Sequence, residues 1–466
     1  MDRTQTSGPP AGGPARGAVR QLGLFTVLCI GVNNIVGAGI YVKPRELAAE
    51  LGAASWIAFA SDGLLLVTVA LCFAAMSARH DEAGGPYLYA TRAFGRWVGF
   101  AVAWTAWISM WAAVAAVATA VPGYLAVFVP AAGSPRAAAA IGLLLVVAFG
   151  AVNCVGVKPA AGTATLLTLA KLLPLAAFVG VGILHVDWER VAAVPASFDE
   201  AGRAAFGRAL FAAFYPLQGF EVVPVPAAEL RNPRRDVPLA VTIALVASAA
   251  IYCLVQVVAV GTLPGLASVD GARPLAAAAG TFLGSGGERL MAAGACVSML
   301  GFTAVTMLCA PRFLVALGRD GLLPAAFARH SARFGTPLLA VAATTLAALF
   351  GALFCVVDAL GGEQAFARLT NLSNLAVLVQ YTTTCLAVIA LRAHAPAGPL
   401  GFRLPGGRFA VPLLGLCACA FLLVLTFLDA SWPEQIAVFA AWIAVGIALA
   451  LSARAARAAG AASPPA

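Results

Sequence analysis

GLFTVLCIGVNNIVGAGIYVKP, residues 23–44, is apolar enough to enter a bilayer, yet its middle carries Asn33, Asn34, Gly37 and Gly39 within seven residues. Such a stretch is a poor place to keep a helix regular. In lipid every unpaired backbone amide is costly, so irregular backbone survives only where protein buries it or where it lines a cavity. On this stretch alone two readings stand. Either Gly37, Ala38 and Gly39 form a small-residue packing face, or the helix breaks there, its freed N–H groups facing an anion and its freed carbonyls a cation. A second stretch, ALFAAFYPLQGFEVVPVPAAEL (209–230), decides between them, because it places Pro216, Gln218 and Gly219 mid-span with Pro224 and Pro226 beyond. Each proline removes an amide donor and crowds the preceding turn. The two stretches open two successive sets of five helices. Interruptions at matching positions of two halves are the sequence pointer to an inverted-repeat transporter with its site at the membrane midplane.

The rest of the chain fits that frame. Of 466 residues, 61% are hydrophobic and 11% charged, and the mean hydropathy is +0.92. These values exclude a soluble enzyme fold, and the sequence lacks the alternation of an outer-membrane barrel. A spanning helix needs about 20 apolar residues. Apolar runs predict twelve, at 22–45, 54–77, 95–129, 137–156, 161–184, 205–230, 237–262, 287–317, 336–357, 364–392, 408–428 and 433–455. The fold class expected is an all-α integral membrane protein with discontinuous first and sixth helices. Its divisions are a disordered tail over 1–20, a first five-helix repeat over 21–184, and a second over 185–392 that includes the preceding outer loop. Helices eleven and twelve fill 393–455, and a second tail covers 456–466.

The net charge of +9 reads as topology rather than as a nucleic-acid partner. Nineteen Lys and Arg fall on the terminus side and nine on the other, with Lys171 inside the fifth helix. The positive-inside rule then makes both termini cytoplasmic. Acidic residues such as Asp187, Asp199, Asp270 and Glu434 collect on the opposite, outer side. Residues 1–20 do not read as a cleavable signal peptide. The ten cysteines lie singly in apolar runs, apart from Cys417 and Cys419, and His80, His185, His330 and His394 sit in loops or at helix ends. No metal site and no cofactor is expected. An Ala- and Arg-rich composition with very few Lys suggests a GC-rich bacterial genome, and hence the inner membrane.

Four segments resemble the amino acid–polyamine–organocation (APC) transporters. They are GVNNIVGAGIYVKP (31–44), DEAGGPYLYATRAFG (81–95), FYPLQGFE (214–221) followed by AELRNPRRDVPLA (228–240), and GRDGLLP (318–324). The resemblance covers nearly the whole chain. It implies five plus five helices in inverted repeat, with two added, and secondary transport by alternating access. It implies that a substrate carboxylate sits on Gly37, Ala38 and Gly39 beside Ile40, and that the amino group meets carbonyls near Ile35 and Tyr215 to Leu217. A zwitterion suits such helix ends. The sequence departs from the family pattern at Ala75, where the family has Glu, at Asp81, where it has Pro, and at Pro216, where it has a small residue.

Single residues carry bland readings beside functional ones. Tyr215 stands where the family covers its substrate with an aromatic, or it packs between helices. Asn34 and Gln218 either bind substrate or satisfy backbone freed by the breaks. Pro216 reshapes the site. Ser109 and Met110 on the third helix, and Thr303 and Thr306 on the eighth, are weaker candidates, since hydroxyls in such helices usually bond their own backbone. Glu221 and Asp62 are acids within spans and candidate proton sites; each must be paired, protonated or wet, because a charge there costs about 3 kcal/mol or more. For Asp62 a local ion pair or a helix-edge position is expected. Lys171 is either a snorkelling lysine or, as in some members of the family resembled, an ammonium filling the space that sodium takes in sodium-coupled relatives. The reading reached is a sodium-independent permease or antiporter for amino acids, neutral ones foremost, with the bilayer and a proton as further partners. The alternatives are an exchanger of cationic amino acids or polyamines and, from other classes, a membrane-embedded enzyme or a receptor. An enzyme would need a catalytic constellation that the histidine positions do not offer.

Overall fold

The computed structural model of the chain describes residues 22–80, 82, 84–156, 161–193, 199–269, 273–358, 364–394, 409–428 and 432–462. In chain order the helices are α1 (Leu24–Ile35), α2 (Gly39–Leu51), α3 (Trp56–Ser77), α4 (Pro86–Phe94), α5 (Arg96–Leu125), α6 (Pro135–Val155), α7 (Ala161–Gly182) and α8 (Trp188–Ala192). They continue as α9 (Glu200–Phe214), α10 (Pro233–Thr262), α11 (Pro274–Arg319), α12 (Leu338–Asp358), α13 (Gln364–His394), α14 (Ala410–Leu425) and α15 (Trp432–Ala462). Among the described residues no strand forms. An isolated parallel bridge pairs Leu22 with Leu230, tying the start of α1 to the chain leaving the second interrupted stretch.

Eight helical stretches among the described residues are long and apolar enough to cross a membrane, with Gly39–Ser77 counted as one; Leu24–Ile35, Leu338–Phe354 and Ala410–Leu425 are shorter apolar helices. Large apolar side chains such as Leu64, Leu144, Leu346 and Val424 stand more than half exposed. A water-facing surface would not carry so many, whereas lipid accepts them. Burial ranks the helices by position. The apolar window of α5 is 89% buried and that of α15 is 17% buried, so α5 is the central post and α15 lies at the edge. Around α5 pack α11, α12 and α13. Trp104, Trp107 and Trp111 run along its face, and Trp442 of α15 closes on Trp111 with ring centroids 4.8 Å apart. The indole of Trp104 donates to the Trp442 carbonyl at 2.8 Å.

Several boundaries differ from the sequence expectation, each for a local reason. Helix α9 begins at Glu200 rather than 205, because the Asp199 carboxylate accepts from the Gly202 N–H at 2.8 Å and caps it. Helix α11 begins at Pro274, and proline suits a first helical turn. The apolar run alone places its start at 287. The helix instead bends just before that point, at the single non-helical residue Gly284 (φ 62°, ψ −158°). The loop 81–95 contains a helix, α4. The tail expected over 456–466 is helical to Ala462, as its alanines favour. The tail over 1–20, Asp81 and residues 463–466 lie outside the described residues.

Two of the quoted segments meet in space. The hydroxyl of Tyr87 on α4 donates to the Asp320 carboxylate in the loop after α11. Burial first, and then the bond to Asp320, push that phenol above its usual pKa.

Candidate functional site

Both interrupted stretches are broken helices. Between α1 and α2, Val36 leaves helical geometry at φ −76°, ψ 84°. The N–H of Val36 still bonds the Val32 carbonyl at 2.8 Å, and that of Gly37 bonds Ile35 at 2.9 Å. The first N–H groups of a helix have no acceptor within it, and those of Ala38, Gly39 and Ile40 bond no backbone carbonyl elsewhere among the described residues. Beyond α9 the chain makes a 3-10 turn at Tyr215–Leu217, extends at Gln218, turns left-handed at Gly219 (φ 119°) and makes a second 3-10 turn at Phe220–Val222.

The two breaks interlock, which is why glycine stands at both. A β-carbon on Gly39 would lie 2.8 Å from Pro216, including its Cα, and one on Gly219 would lie 2.7 Å from the Asn34 carbonyl group. At Gly37 a β-carbon would meet only the Phe302 ring, at 3.2 Å. The packing-face and broken-helix readings of 37–39 therefore both hold. Gly39 packs a helix, and the break opens beside it.

The carbonyls released by the first break are largely taken by side chains. Lys171 on α7, fully buried, donates to Asn33 at 2.8 Å and to Val36 at 2.5 Å. Ser298 on α11 reaches the Val36 and Gly37 carbonyls at 3.2 and 3.3 Å, and the Tyr252 hydroxyl on α10 reaches Ile35 at 2.8 Å. Lys171 does not snorkel.

A cavity of about 50 Å³ lies between the breaks, α5, α11 and α13. That is room for a handful of waters or a small solute. Its wall includes Asn34, Ile35, Gly37, Ala38, Gly39, Ser109, Met110, Tyr215, Pro216, Gln218 and Glu221 from the residues expected, with Thr306. Ile40 and Leu217 are fully buried and absent from the wall, since their side chains join the apolar core instead. Thr303 bonds the Met299 carbonyl of its own helix at 2.9 Å and does not line the cavity.

The polar side chains on the wall are mostly engaged. Asn34 donates to the Ile30 carbonyl one turn back at 2.9 Å. Gln218 is held at both ends by α13, donating to Asn374 at 2.6 Å and accepting from Ser373 at 3.3 Å. One oxygen of Glu221 accepts from the Gly219 N–H and from the Tyr381 hydroxyl, each at 2.8 Å. Asp62 corrects the expectation of an ion pair or helix edge. It lies within α3, fully buried, away from the wall, and neither carboxyl oxygen has a hydrogen-bond partner among the described residues.

Sequence reasoning missed Ala113, Phe302, Cys309, Ser373 and Val377 on the wall. The α13 pair had a signal: TNLSN (370–374) is a polar cluster in an apolar helix, and such clusters face the protein interior. A chain of side-chain contacts leads from the cavity wall to α2. Tyr215 on the wall packs edge-on against Phe366 of α13 at 5.8 Å, and the Lys43 ammonium of α2 lies 5.6 Å from the Phe366 ring centre. Lys43, counted with an outer loop from sequence, is buried within α2.

Comparison with known proteins adds an independent line. A family model described as amino acid permease matches residues 22–450. A branched-chain amino acid permease of Bacillus subtilis is 25% identical over 92% of this chain and 92% of its own. A vacuolar cationic amino acid transporter of Arabidopsis thaliana is 27% identical over 81% of this chain and 64% of its own. A methylthioribose transporter of Bacillus subtilis is 26% identical over 93% of both chains.

Proposed function

The chain belongs to the amino acid permease family of the APC superfamily, and from that premise we propose that it is a sodium-independent secondary carrier of neutral amino acids working by alternating access. The observation that carries this reading is the cavity between two interlocked helix breaks. Three free N–H groups at the start of α2 suit a carboxylate, and apolar wall residues such as Met110, Ala113, Phe302 and Val377 suit an aliphatic side chain. The ammonium group is assigned to the carbonyl side of the second break, where Tyr215 and Pro216 line the wall, since the carbonyls of the first break are largely taken by Lys171, Ser298 and Tyr252. A cationic substrate would need a second acidic partner; Glu221 is the acid on the wall, and its acceptor oxygen already serves two donors. The alternative of a cationic amino acid or polyamine exchanger has less support on that ground.

Sodium independence rests on Lys171. Its fixed charge occupies the carbonyls that a sodium ion would need and repels a cation from that space. The remaining architecture of the proposal is twelve spans with α1 and α2 as one interrupted span, two inverted five-helix repeats, both termini cytoplasmic, and a bacterial inner membrane. In that frame the Tyr215, Phe366 and Lys43 stack closes the outer side, and the cavity faces inward.

Counterflow into proteoliposomes tests this. The purified chain, in sodium-free buffer, should concentrate labelled leucine, isoleucine or valine when vesicles are preloaded with the unlabelled amino acid. Adding sodium at constant ionic strength should change nothing. No amino acid accumulating above protein-free liposomes, or uptake rising steeply with sodium, would defeat the proposal.

A further inference from the structure

We propose that Lys43 is a charge filter at the outer entrance to the cavity, selecting against cationic amino acids and polyamines. The inference rests on the carrier reading above and adds a determinant of its substrate class. Lys43 lies one turn beyond the first-helix break, on the half-helix that leads away from the cavity. Its side chain has no exposure, whereas its partner Glu46, 2.6 Å away and one turn further out, is 42% exposed. The pair is thus oriented with its cationic end inward and its anionic end in water. Phe366, in the first turn of α13, lies between the ammonium, 5.6 Å from its ring centre, and Tyr215 of the cavity wall, 5.8 Å away.

A lysine on a flexible stem ordinarily withdraws its charge to solvent. This one is fixed by an ion pair on one side and a ring face on the other. For the cavity to open outward, Tyr215 and Phe366 must part, and the next group met is this ammonium. Laid end to end, the two stacking distances put it within about 11.4 Å of the Tyr215 ring centre. At that range and an effective dielectric near 20, repulsion between unit charges disfavours a cation by about tenfold. Glu46, further out and half in water, offsets part of that, and closer passage at the entrance adds to it. A zwitterion with an aliphatic side chain has no net charge to be repelled. Lys171 lies buried behind the same break, off the cavity wall, and holds the Asn33 and Val36 carbonyls, so Lys43 is the lysine beside the entrance.

The test is competition in proteoliposomes carrying the full chain. Labelled leucine uptake is measured against unlabelled arginine, lysine or putrescine for wild type, Lys43→Met and Lys43→Arg. In wild type and Lys43→Arg, arginine should compete poorly. In Lys43→Met the leucine-to-arginine ratio of apparent affinities should fall by about fivefold to tenfold. Should Lys43→Met fail to fold, the double variant Lys43→Gln with Glu46→Gln removes both charges together and should lower the ratio in the same direction by a smaller factor, since the offset from Glu46 goes with the repulsion. Arginine competing as well as leucine in wild type, or Lys43→Met and Lys43→Arg behaving alike, would overturn the filter. Failure of wild type to take up any amino acid would instead overturn the carrier reading, so the two outcomes are distinct.

Discussion

Lys171 joins α7 to two carbonyls of the first break, and removing its ammonium leaves both without that donor in a dry interior. The Val36 carbonyl keeps Ser298 as a donor while that of Asn33 is left unsatisfied at about 1–3 kcal/mol, so Lys171→Met should loosen the break and lower turnover, by roughly tenfold to a hundredfold where that whole cost falls on the transport step. Stopped-flow efflux measures it, and sodium should not restore the rate. The glycines give a graded pair. Gly39→Ala drives a β-carbon into Pro216 backbone, where nothing can give, whereas Gly37→Ala meets a ring that can turn. Overpacking of the first kind costs about 1–3 kcal/mol, so Gly39→Ala should lower the melting temperature of the purified protein clearly more than Gly37→Ala. Equal shifts would deny the interlock. Lys171 was legible in sequence because a lone ammonium with apolar neighbours for a turn on either side has few places to go. Lys43 was not, because where a helix stops being buried depends on what packs over it, here the start of α13. Asp62 was misjudged for the same reason, as its surroundings come from other helices.

At the scale of elements, Glu221 couples the second break to α13. One carboxylate oxygen receives the Gly219 N–H, which the left-handed turn presents, and the Tyr381 hydroxyl. Glu221→Gln keeps an oxygen acceptor of the same reach and should retain a folded protein. Glu221→Ala strands two buried donors and should destabilise by about 1–3 kcal/mol for each, read as a fall in the denaturation midpoint. If the glutamine variant is as damaged as the alanine variant, the charge and not the hydrogen bonding is what α13 requires. Both breaks were visible from Asn, Gly and Pro in the middle of apolar runs, since those residues act on their own backbone. The extra turns of α9 and α11 were missed, because Asp199 and Gly284 act through a cap and a bend rather than through hydropathy. The polar cluster of α13 was visible in residue type, but its partner Gln218 is set by tertiary packing.

For the whole molecule, the basic residues divided by side predict orientation. In a cysteine-free background, Arg235→Cys should react with an impermeant maleimide only from the cytoplasm, and Ala201→Cys only from outside; the reverse pattern would invert the topology. Apolar length made the membrane class readable from the chain alone, and the two breaks pointed to the cavity that lies between them. Of the wall supplied by α11 and α13, Thr306 and the polar cluster at 370–374 carried a signal, whereas Phe302, Cys309 and Val377 did not, because their place on the wall comes from packing between helices far apart in sequence. One of those wall residues offers a direct test of whether the cavity holds substrate. Cys309 lines it, so a protein retaining Cys309 as its sole cysteine can report occupancy through its rate of reaction with a small permeant maleimide. Saturating leucine, isoleucine or valine should slow that reaction several-fold in sodium-free buffer while putrescine leaves it unchanged. An unaltered rate in the presence of an amino acid that the same vesicles take up would contradict the assignment of the cavity as the transport site.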